Sequence, residues 1–167
     1  MTRRTVFFGI ILLLNLSPAL AVDAPALPGI GDVVPPFPDG IENYGGACAY
    51  HPGSADICAM SVGDLSIEDG EAIAVFAGKR SGYDAEGRAF WEITDIVELP
   101  PIEEGYFFDH SLCVSEDSDR HHPVTIVRND EDVAYLTDIA WAMALDLETG
   151  LFVDIDPDGL KCENPVP

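Results

Sequence analysis

From residue 72 to the end, the chain alternates short apolar runs with turn residues. The run 72–77, AIAVFA, follows Asp69-Gly70 and precedes a charged, glycine-rich stretch over 78–87, a pattern that predicts a strand and then a long loop. In 89–99, AFWEITDIVEL, the period of two places Trp91, Ile93, Val97 and Leu99 on one face and Glu92, Thr94 and Glu98 on the other, as in a half-buried strand. Pro100-Pro101 stops it. The segment 106–114, YFFDHSLCV, alternates again, with Tyr106, Phe108, Leu112 and Val114 sharing a face with His110. Cys113 points the other way, so that face should be covered too. A short β-branched strand is predicted at 124–128, followed by an acidic turn at 129–132.

The segment 138–152, DIAWAMALDLETGLF, fits two periods. As a strand it aligns Ile139, Trp141, Met143, Leu145 and Leu147, and Glu148-Thr149-Gly150 becomes a hairpin turn. As a helix over about 138–148 it has Thr137 as N-cap, several alanines and Gly150 beyond its end. The strand is favoured because the alternation persists to the turn, and the alternative is an α+β fold with that one helix. The fold predicted is mainly β, an antiparallel meander of six or seven strands in one domain spanning 47–167. Residues 22–46 hold five prolines and five glycines, a density that leaves an extended leader ordered only where Ile30, Val33, Val34 or Phe37 find a groove.

Residues 1–21 carry the zones of a secretory signal: Arg3-Arg4, an apolar run over 6–14, Ser17-Pro18, and a small-x-small site ending at Ala21. The run is about half the length of a membrane span, so a cleaved signal is expected and no membrane association after it. Cleavage leaves 146 of 167 residues, and by removing two arginines and no acid it takes the formal charge from −22 to −24. Such a chain repels nucleic-acid phosphates and anionic lipid; its acidity is read first as a source of solubility and second as an attraction for a basic protein partner. A periplasmic or secreted location makes the even set Cys48, Cys58, Cys113 and Cys162 two disulfides. Of three connectivities, Cys48–Cys58 with Cys113–Cys162 is favoured. Tetrahedral zinc is disfavoured because no two cysteines are closely paired.

The tail WAMALDLETGLFVDIDPDGLKCEN, taken with FWEITDIVEL and the strand bearing Cys113, resembles small exported proteins of proteobacteria that end in an aromatic strand, a D-x-x-T-G turn, a short strand and a Cys-x-Asn close. The resemblance implies a bacterial exported protein and carries over no catalytic residue.

Chemistry is sparse. There is no nucleophile elbow, phosphate-binding loop or dinucleotide fingerprint, and no catalytic residue or cofactor is expected. His121 and His122 follow Glu116, Asp117 and Asp119, a set with metal-ligand character, although adjacent residues of an extended chain face opposite ways. Asp154, Asp156, Asp158 and Gly159 match the front of a calcium loop, but Pro165 stands where a glutamate belongs. A type I turn with Gly159 at positive φ explains the same residues. His110 is expected as a satisfied core or rim histidine, and His51 as exposed. The function expected is an exported, acidic, non-enzymatic binding protein, of inhibitor or immunity type, for a cationic partner. The alternatives are a carboxylate- or metal-dependent hydrolase and a structural envelope protein docked through its leader.

Overall fold

β-branched and aromatic residues dominate the apolar runs, and in the computed structural model they form strands, with no α-helix among the described residues, 25–50, 53–67, 70–115 and 120–165. The expected signal segment lies outside these residues. In chain order the strands are β1 (Val33–Val34), β2 (Gly46–Ala49), β3 (Met60–Ser66), β4 (Ala72–Tyr83), β5 (Ala89–Glu98) and β6 (Tyr106–Asp109). They continue with β7 (Cys113–Val114), β8 (His121–Arg128), β9 (Tyr135–Leu136), β10 (Ile139–Asp146), β11 (Leu151–Asp154) and β12 (Lys161–Glu163). All pairings are antiparallel, in three sheets ordered β1-β5-β4-β3-β2, β11-β10-β8-β6 and β7-β12-β9. The meander expected is present in the run from β2 to β5, and short strands bring the number above seven.

The two larger sheets bury a common core between Val62, Val75 and Ala77 on one side and Val124, Leu145 and Phe152 on the other. This is the arrangement of a β-sandwich. The outer face of the first sheet is covered by the leader: Leu27, Val34, Phe37 and Ile41 pack on Leu65, Ala74, Phe76 and Ile93. Packing does not divide at residue 47, since Val34 and Ile41 are 1% and 5% exposed and β1 extends the sheet beside β5. Ile30 and Val33 stay exposed. Gly63 is required here, because a Cβ on it would stand 2.5 Å from Cε1 of the buried Phe76 ring. The outer face of the second sheet is covered by the third, where Cys113, Val127, Leu136 and Cys162 form a small core. The disulfides are Cys48–Cys58 and Cys113–Cys162.

Several local expectations are corrected. The loop expected over 78–87 is mostly strand, because β4 continues along β5 to the Tyr83–Ala89 pair. The turn shrinks to 84–88, where the Asp84 carboxylate accepts from the N–H groups of Glu86 and Arg88. The single face expected for β5 is split by a bulge at Thr94, since Asp95 pairs with Ala77 and Ile93 with Gly78. Trp91 and Ile93 therefore face the leader, and Val97 and Leu99 the inter-sheet core. The strand expected over 106–114 breaks after Asp109, whose carboxylate accepts from the N–H groups of Ser111 and Leu112. The helix weighed for 138–148 does not form. β10 is paired on both sides, and Trp141, Met143, Leu145 and Leu147 are spent on the inter-sheet core, a burial that outweighs alanine's helix preference.

Candidate functional site

Where β3 and the start of β4 approach β6, a cleft of about 490 Å³ opens between the two larger sheets. Tyr44 and Gly45, just ahead of β2, form one lip; Asp64 and Ser66 come from β3, Glu71 from the entry to β4, and Ile102, Tyr106 and His110 from the segment around β6. Asp64 is 6% exposed. Its Oδ1 accepts from the Gly45 N–H at 2.6 Å and from Asn43 Nδ2 at 3.3 Å, and its Oδ2 from the Ser66 hydroxyl at 2.7 Å and the Tyr44 N–H at 3.2 Å. These are neutral donors. They satisfy the lone pairs of a buried carboxylate without supplying a counter-charge.

Serine, aspartate and histidine thus occur together, but not as a nucleophilic relay. Ser66, 1% exposed, donates its proton to Asp64 and not to an imidazole, and activation of a hydroxyl needs a base at that oxygen. His110 lies against the Gly45 backbone, its Nε2 3.1 Å from where a side-chain Cβ would begin, so any larger residue at 45 would make the ring give way by a few tenths of an ångström. Its Nδ1 is buried without a hydrogen-bond partner among the described residues, which corrects the expectation of a satisfied histidine. The tyrosines share a feature: the Tyr44 hydroxyl donates to Glu42 and the Tyr106 hydroxyl to Asp138, at 3.2 Å in the second case. Burial, followed by the Asp138 carboxylate, raises the Tyr106 phenol above its ordinary range.

The residues singled out from sequence do not converge. His121 approaches Asp146 at 3.9 Å, whereas His122 turns the other way, its Nε2 2.8 Å from the His110 carbonyl oxygen. Burial lowers the His122 imidazole below its ordinary value near 6.5. Glu116, Asp117, Asp119 and His51 lie outside the described residues. Asp154, Asp156 and Asp158 are exposed, and Asp156 spends an oxygen on the Asp158 N–H as cap of a 3₁₀ turn over Pro157–Gly159. Gly159 does not take the positive φ expected of it, because the turn is closed by the Leu160 N–H on the Pro157 carbonyl. No group of three or more metal-ligating side chains occurs among the described residues.

Sequence reasoning missed Asp64, Ser66 and Tyr44 and assigned no element to 60–66. The available signal was a lone acid between Val62 and Leu65, a polar residue set among apolar ones. No family model, curated protein or solved structure matches the chain.

Proposed function

We propose that the protein is an exported, acidic, non-enzymatic binding protein for a cationic protein partner, of the inhibitor or immunity type. One observation carries the proposal: every arginine among the described residues is already paired with a carboxylate. The pairs are Arg80 with Asp56, Arg88 with Asp84, Arg120 with Asp146 and Glu148, and Arg128 with Asp138. The remaining acids of a chain at formal −22 therefore present a field with little internal compensation. Such a field speeds encounter with a basic surface and selects against acidic ones.

Export is supported by the two disulfides, which persist in oxidising compartments, together with the signal-like first 21 residues. No helix among the described residues is long and apolar enough to cross a membrane. The leader reading loses support because Leu27, Val34, Phe37 and Ile41 are spent on the chain's own sheet. The test immobilises the chain from residue 22 onward and passes periplasmic extract over it at low and then high salt. Retention of basic proteins that salt releases is the expected result; retention of none removes the proposal.

A further inference from the structure

We propose that the cleft between β3, the entry to β4 and β6 is the recognition pocket for one basic side chain, arginine or lysine, of the partner. This rests on the cationic-partner reading above and names the place where that partner is held.

Three features of the cleft converge on an organic cation. Among the described residues its lining contains two carboxylates, Asp64 and Glu71, one histidine, His110, and neither lysine nor arginine. Asp64 is buried and held by neutral donors alone, so its charge is the one property of the group left uncompensated inside the protein. A guanidinium or ammonium entering the cleft supplies that charge through space while the existing hydrogen bonds stay in place, and exposed Glu71 offers it acceptor oxygens. The walls are aromatic and aliphatic, from Tyr44, Ile102, Tyr106 and Phe108, which suits the methylene stem of a long basic side chain whose head lies deeper.

The tyrosines add the third feature. Each donates its hydroxyl to a carboxylate, Glu42 or Asp138, and donation of that proton makes the ring more electron-rich and its face more attractive to a cation. Glu42 also extends the negative field beyond the Tyr44 ring, whereas Asp138 is already paired with Arg128 at 3.6 Å, so Tyr44 carries this feature more than Tyr106 does. Tyr44 is 60% exposed at the lip, where an incoming side chain meets it first. About 490 Å³ accommodates one such side chain with water and is too small for a folded element.

The test uses the chain from residue 22, labelled with ¹⁵N, and two probes: a blocked arginine amide and its neutral citrulline counterpart. The proposal expects saturable shifts confined to the amides of residues 44–45, 64–66, 71–72 and 102–110 with the arginine probe, and none with citrulline. Tyr44→Leu and Glu71→Gln should each weaken the arginine probe by about fivefold. The same spectra report whether each variant is folded, and Glu71→Gln, at an exposed residue, serves alone if Tyr44→Leu is not. Equal binding of citrulline overturns the proposal, because the cleft then reads shape and not charge. Shifts spread over the acidic turns at 129–132 and 154–158, unchanged in the variants, also overturn it, as does the absence of any saturable shift. If basic proteins are still retained on the immobilised chain in those cases, the pocket has failed and the cationic-partner reading has not.

Discussion

His122 gives the fold a pH dependence between neutral and mildly acidic pH. Burial, opposed by the hydrogen bond to the His110 carbonyl and by Asp109, holds the ring's pKa below about 6.5, so the native state binds fewer protons than the unfolded chain once pH falls under that value. Stability from this group is complete above about 6.5 and is lost as pH drops through the lower native pKa. Relief of acidic self-repulsion pushes the other way, so the readout is a difference: between about pH 7.5 and pH 5.5, wild type should lose stability relative to His122→Gln in urea melts. Equal slopes contradict the assignment. Gly63→Ala forces a Cβ onto Phe76 and should cost about 1–3 kcal/mol, whereas Gly82→Ala, with nothing within 4 Å of its Cβ, should be neutral or slightly stabilising. Comparison of the two melting temperatures checks this. Millimolar calcium should leave the melting temperature unchanged, because Asp156 is engaged in its own turn. At this scale the sequence revealed turns better than sites. Asp156-Pro157 announced a corner through local chemistry, but Asp64, Asp109 and Asp146, which bind backbone N–H groups, look in sequence like any other member of an acid excess.

Elements were legible where one face decides the pattern. The alternation in β5 and β10 predicted both strands, while Cys113, expected on the far face of one strand over 106–114, is buried instead on β7 of the third sheet. Bulges at Thr94 and between Ile139 and Trp141 were not legible, since they move residues from one core to another without disturbing composition. The leader was legible only in part. Its prolines limit regular structure to the short β1; Val34 and Phe37 were expected to find a groove, Ile41 was not, and the assembled sheet shows all three as its cover. Ile41→Ala should therefore cost about 2–5 kcal/mol, as in a true core, and a chain starting at Ala47 should bind hydrophobic dye and melt without cooperativity. A cooperative melt near the wild-type temperature would refute the covering role. Cys113–Cys162 ties β7 to β12 across 49 residues of chain. Replacing both by alanine should cost about 4 kcal/mol, more than the about 3 kcal/mol for the shorter Cys48–Cys58 loop. Denaturant midpoints of the two double variants give the order directly.

At the scale of the molecule, the sandwich brings together what the chain separates. Residues 44, 64, 71 and 106 meet in one cleft only because the first sheet's β3 and β4 close against the second sheet's edge strand β6. Net charge, by contrast, was legible from composition alone, and the proposal of a cationic partner starts from it. The most direct measurement is retention of basic proteins by the immobilised chain as salt is raised from about 10 mM, where the screening length is about 30 Å, to about 1 M, where it is about 3 Å. The account predicts selective retention of a basic protein at low salt, steep loss of it at high salt, and weaker retention by the Tyr44→Leu/Glu71→Gln double variant. Retention of nothing basic at low salt contradicts it.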